Sequence, residues 1–201
     1  MNKNETIIYL FSGLGADKTV FNRLSCFQNT KHKFIEWEKP QSNTLENYAL
    51  QLSSQIDKTK KIILLGVSFG GMLVSELSKH IQTEKVILIS SASTPTELPF
   101  LYRLFGFLKL YFLIPTFLLN KPTKLLSFAF STNQKRYQEE ETQLYQIIKT
   151  SNPKFAKSFV KMILTWKKQN KNDKITPSIF KIHGTKDLII PFSMTIKASD
   201  S

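Results

Sequence analysis

Cysteine is almost absent: Cys26 stands alone in 201 residues, which excludes an internal disulfide and a thiolate zinc cluster. Histidine is nearly as scarce, and His32, His80 and His183 are too dispersed to suggest a metal motif. Only three arginines, Arg23, Arg103 and Arg136, accompany twenty-five lysines, so the guanidinium forks that read phosphates and bases are largely missing. No charged and apolar leader with a small-residue cleavage site opens the chain, which makes the cytoplasm the expected location. Long apolar runs are missing too. Residues 100–119 come nearest, but Arg103, Lys109 and Pro115 interrupt them. Each charge would cost about 2.5–3.5 kcal/mol at a bilayer centre, so no transmembrane segment is expected. An apolar lid, or a surface that meets lipid or a greasy substrate, stays open.

What is present is core material. Hydrophobic residues make up 41% of the chain, and sixteen Phe, six Tyr and two Trp are spread along it. That is enough for one full-sized core, so residues 1–201 are expected to form a single domain. The net charge of +13 comes mainly from lysines that occur as singles and pairs, and a solvated basic surface is its first reading. Acidic substrates or lipid surfaces are the second, and nucleic acid is not an expected partner.

Short apolar runs ending at turn residues alternate with helical periodicity. Residues 6–11 (TIIYLF) and 34–37 read as strands, and 45–56 as a helix with Leu45, Tyr48, Leu52 and Ile56 on one face. Residues 61–65 (KIILL) read as a third strand, followed after Gly71 by a helix marked by Leu73, Val74, Leu77 and Ile81. Residues 85–90 and 178–183 supply two more strands. This alternation predicts an α/β fold with a mainly parallel sheet flanked by helices. Residues 91–177 are too long for an ordinary crossover and read as an inserted helical lid.

Six of the seven glycines cluster after strands: Gly13 and Gly15, then Gly66, Gly70 and Gly71, then Gly184. The carboxyl ends of parallel strands are where open sheets bind ligands. Residues 66–70 (GVSFG) fit G-x-S-x-G between an apolar strand and an amphipathic helix, with small residues where a Cβ would crowd the turn. Ser68 is therefore the candidate nucleophile. No G-K-S/T follows, so this is not a phosphate loop, and no cofactor or metal is implied.

On these residues the chain resembles the α/β-hydrolase superfamily along almost its whole length. The resemblance implies a serine hydrolase of carboxylesterase type acting on an ester or other small acyl substrate. It implies an oxyanion hole made by the backbone amides of Phe69 and, from the segment 12–17 (SGLGAD), Leu14. In that segment Ser12 stands where the family usually has His, and Asp17 reads as a helix cap. The segment 182–191 (IHGTKDLIIP) resembles the one carrying the acid of the family's triad, which points to Asp187. Residues 152–155 (NPKF) and 163–166 (ILTW) look like segments of a bacterial subgroup of small α/β hydrolases.

The triad histidine has no match. The family places it after the acid, but none of the fourteen residues that follow Asp187 is a histidine, and the family's last strand is not there either. His80 lies twelve residues along a helix from Ser68, about 18 Å away. His32 precedes a strand at the far end of the sheet, and His183 is the one conceivable substitute. Two readings follow: a serine hydrolase of carboxylesterase type, or a truncated, catalytically compromised α/β-hydrolase-like binding protein that lacks the triad histidine. Oligomeric state is not legible.

Overall fold

The structure, a computed structural model, describes residues 5–14, 16–22, 24, 30–109, 112, 153–167, 178–187 and 189–196. Five parallel strands form one sheet in the order β2-β1-β3-β4-β5: β1 (Thr6–Phe11), β2 (His32–Phe34), β3 (Lys61–Val67), β4 (Lys85–Ile89) and β5 (Ile179–Ile182). The helices are α1 (Leu45–Leu52), α2 (Phe69–Leu77), α3 (Phe100–Phe107), α4 (Pro153–Leu164) and α5 (Phe192–Ile196). Near-continuous runs of Ile, Leu and Val make parallel strands because both sheet faces are to be covered. Along β1, Tyr9 and Phe11 enter the larger core, under α1, α2 and α4, while Leu10 enters a smaller core with Phe21 and Leu65 on the opposite face.

The element boundaries depart from the sequence reading in ways that have local causes. Only residues 32–34 form β2, because Trp37 leaves the sheet to donate its indole N–H to Ser12. Ile35 still donates to the Leu10 carbonyl at 2.9 Å. After Leu52 the first helix tightens into a 3-10 turn over Ser53–Gln55. Strand β3 runs on through Gly66 to Val67, and α2 starts at Phe69 instead of after Gly71, so Gly70 and Gly71 lie inside the helix.

Those glycines are needed for space. A Cβ on Gly70 would fall 2.3 Å from the carbonyl oxygens of Phe11 and Ser12, and one on Gly66 would fall 2.4 Å from the Gly70 carbonyl oxygen. The first turn of α2 is thus pressed directly onto the end of β1. Asp17 caps the 3-10 turn Lys18–Phe21, as expected, by accepting from the Thr19 amide at 2.8 Å. The Thr19 hydroxyl first, and this amide bond second, hold its carboxyl below the usual range.

Of the expected lid, residues 91–109, 112 and 153–167 are described, and the remainder lies outside the described residues. Helices α3 and α4 pack together so closely that a Cβ on Gly106 would lie 1.7 Å from the Leu164 carbonyl oxygen. Helix α4 is fastened to the body by Phe159 and Met162 in the core. Just beyond it, the Trp166 indole donates to the buried Glu76 carboxylate of α2 at 2.6 Å.

Replacing Gly70 with Ala is expected to destabilise the chain by more than about 2 kcal/mol, because backbone atoms cannot yield as side chains do. Gly184→Ala, where nothing lies within 4 Å of the new Cβ, is expected to stay within about 0.5 kcal/mol of the parent. Urea denaturation of both variants checks the contrast.

Candidate active site

The register aligns the strand ends. Phe11 pairs with Gly66, Val67 with Ile89, and Ile89 with Ile182, so residues 12–14, 68, 90–91 and 183–187 all emerge at one edge of the sheet. Chain order reverses between β1 and β3, which makes the gap between residues 12–14 and Ser68 the topological switch point of the sheet. The contact is direct: a Cβ on Gly13 would sit 3.5 Å from the Ser68 Cβ.

Ser68 carries the strain of the turn. Its backbone lies at φ 51° and ψ −117°, a region that costs a residue with a Cβ on the order of 1–3 kcal/mol. None of the glycines around it takes the positive φ, although glycine would do so at less cost. The conformation is held from several sides. The Ser68 amide donates to the Ile89 carbonyl at 2.9 Å, and its carbonyl accepts from the Ser91 hydroxyl at 2.6 Å and from the Gly71 amide at 2.9 Å.

A serine at a helix N-cap normally turns its hydroxyl back to an amide of the first turn. Ser68 makes no such bond. The first amides of α2 are therefore left for another acceptor, with the positive end of the helix dipole behind them. Among the described residues no hydrogen bond takes up the Leu14 amide either, and Leu14 is exposed. Phe69 is buried, and its amide is likewise taken up by no hydrogen bond among the described residues.

Trp37 was not visible in the sequence as a site residue, yet it ties both flanks together. Its indole N–H points at the Ser12 hydroxyl (2.8 Å) and the Ala16 carbonyl (3.1 Å), and Ser12 in turn donates to Ala16 at 2.6 Å. The same ring stacks on Phe69 at 5.8 Å between centroids and meets Phe159 at 5.7 Å. A lone Trp after a short strand carries no sequence signal for this.

Asp187 organises its own loop. Its Oδ1 accepts from the amides of Ile189 (2.9 Å) and Ile190 (3.0 Å), and its Oδ2 lies 3.3 Å from His183 Nε2. His183 Nε2 is also 2.7 Å from the Ile190 carbonyl, so this nitrogen carries the hydrogen it donates, and its buried Nδ1 has no partner among the described residues. No hydrogen bond joins Ser68 to His183 or Asp187 among the described residues, and this geometry gives no support to His183 as a base for Ser68. His80 pairs with Glu46 at 3.0 Å, and His32 is exposed at the start of β2. Tyr102 of α3 stands close enough to Asp187 to feel its charge. Burial first, and that charge second, push its hydroxyl above the usual tyrosine range. No group of three or more His, Cys, Asp or Glu able to hold a metal occurs among the described residues.

The architecture is that of α/β-hydrolase structures. An esterase from Thermogutta terrifontis superposes with a TM-score of 0.71 at 15% identity, covering 98% of this chain and 78% of that one. A lipase-esterase related protein from Clostridium acetobutylicum gives 0.68 at 13% identity, over 99% of this chain and 83% of that one. A hydrolase from Pseudomonas aeruginosa gives 0.67 at 14%, over 98% and 78%. No protein-family model and no curated protein sequence matches the chain.

Strain at Ser68 has a measurable consequence. Ser68→Gly is expected to raise stability by about 1 kcal/mol, seen as a melting temperature about 2–4 °C higher. Ser68→Ala, which keeps a Cβ at the same φ, is expected to melt within about 1 °C of the parent.

Proposed function

We propose that this α/β-hydrolase fold carries a serine hydrolase of carboxylesterase type. Ser68 Oγ attacks the acyl carbonyl, and the backbone amides of Leu14 and Phe69 receive the oxyanion. Two donors aimed at the developing charge are worth several kcal/mol of barrier, since removing one from such a hole costs about 2.7–4 kcal/mol. Trp37 holds the two donors in place from behind. Asp187 is the acid of the triad, and residues 91–177 form the lid, with Tyr102 beside the acid. The chemistry needs no metal or cofactor, and the enzyme is read as a single cytoplasmic domain acting on a small acyl substrate.

The observation that carries this reading is a serine forced to positive φ at a helix start that it does not cap. That arrangement suits a nucleophile held beside unclaimed amides, and the serine bears a conformational cost for it. Among the described residues His183 bonds the Ile190 carbonyl and His80 pairs with Glu46, and neither hydrogen-bonds Ser68.

A second reading, a pocket that binds without turnover, is favoured by one detail: the Asp187 carboxylate is already engaged by its own loop. Incubation with a fluorophosphonate probe, followed by peptide mapping, separates the two. Labelling at Ser68 that disappears in Ser68→Ala is the expected result. A chain that stays unlabelled while folded overturns the hydrolase reading in favour of the binding one.

A further inference from the structure

The apolar stripe of α3 faces the wrong way for a core helix. Leu101, Phe105 and Leu108 recur at i, i+4 and i+7, the spacing that normally turns inward, yet they are 62%, 44% and 52% exposed. Phe100 and Phe107 beside them are 65% and 83% exposed. The inward side of the helix is formed at Gly106, against the Leu164 backbone. Monomeric proteins seldom leave so many large apolar side chains together in water, and such patches mark interaction surfaces.

Net charge is unevenly distributed along the sequence, and the stretch that contains α3 holds most of it. Residues 98–172 hold thirteen cations against the three carboxylates Glu139, Glu140 and Glu141, and so carry ten of the thirteen net positive charges. The other 126 residues hold fifteen cations against twelve carboxylates, close to balance. Neither α3 nor α4 contains Asp or Glu. Arg103 and Lys109 are exposed within the patch, and the Arg103 guanidinium lies 5.9 Å from the Phe100 ring centroid, a long cation lying along apolar surface.

We propose that the outward face of α3 docks the protein on an anionic membrane surface, with Leu101, Phe105 and Leu108 in the acyl boundary and Arg103 and Lys109 among the headgroups. No helix among the described residues is long and apolar enough to cross a membrane, and α3 spans only about 12 Å. An apolar face edged with cations and free of carboxylates suits a helix that lies in the interface plane. A second copy of the chain is a poor occupant, because it would bring two strongly positive surfaces together. Nucleic acid is a poorer fit than lipid, since leucines and a lone arginine offer little to phosphates and bases. The inference is independent of whether Ser68 is a nucleophile.

Co-sedimentation of the full chain with vesicles tests it. Binding to phosphatidylcholine vesicles holding about 30% phosphatidylserine should exceed binding to pure phosphatidylcholine at least about tenfold, and should fall as salt rises from ~0.1 to ~0.5 M. Leu101→Glu with Phe105→Glu should abolish it. Arg103→Gln and Lys109→Gln should each weaken it about fivefold. All four positions are exposed, so the melting temperature should stay within about 2 °C of the parent. Equal binding to both vesicle types overturns the proposal, as does undiminished binding by the folded Leu101→Glu, Phe105→Glu variant. So does tighter binding to an oligonucleotide duplex than to the anionic vesicles.

Discussion

The rest of the site depends on one close approach, the first turn of α2 lying directly on the end of β1. It exists because Gly70 has no side chain where the Phe11 and Ser12 carbonyls stand 2.3 Å from the space a Cβ would fill. Gly66 and Gly71 extend the same economy of volume along the turn, Gly71 against the Ser91 side chain. With α2 that close, the chain must reverse direction within a single residue after β3. Ser68 takes the conformational cost at φ 51°. The amides of Phe69 and Leu14 then come to the same sheet edge because β1 and β3 are adjacent in register.

The surroundings of that turn are built to keep it from relaxing. Ser68 is bound to Ile89 through its amide and to Ser91 through its carbonyl, so β4 and the turn after it brace the serine from the side opposite β1. Ser90, between these two braces, also takes a positive φ. On the other flank Trp37 uses its N–H on Ser12 and Ala16 and its ring face on Phe69, linking the loop after β1 to the helix after β3 through one rigid side chain. Packed aromatic rings hold geometry well because few low-energy alternatives exist in a dense interior. In the proposed hydrolase such preorganisation would let a backbone amide stabilise the oxyanion without reorganising during the reaction.

Much of this was legible from sequence, for identifiable reasons. The parallel sheet followed from short apolar runs alternating with helical periodicity, and residues 66–70 stood out because glycine-serine-glycine spacing at a strand end has a steric meaning. The start of α2 was placed late, since glycines usually punctuate helices and here they lie within one. Strand β2 was placed about two residues late because Trp37 looks like a strand residue, while its partner Ser12 is twenty-five positions away. The loop bonds of Asp187 were equally invisible, as an aspartate three residues before Ile190 reads the same whether it faces its own loop or a histidine. The concentration of positive charge in residues 98–172 was in the sequence throughout, but it acquires a meaning only when α3 turns its apolar stripe outward.

The central claim is that the strained Ser68 and the two unclaimed amides form one prepared site. A crystal structure of the chain treated with a small organophosphonate would test it most directly. The account predicts phosphorus bonded to Ser68 Oγ, Ser68 still at positive φ, and the phosphonyl oxygen within about 3.1 Å of both the Leu14 and the Phe69 nitrogen. Ser68 in an ordinary extended or helical conformation, or an adduct whose phosphonyl oxygen points away from those amides, would contradict it.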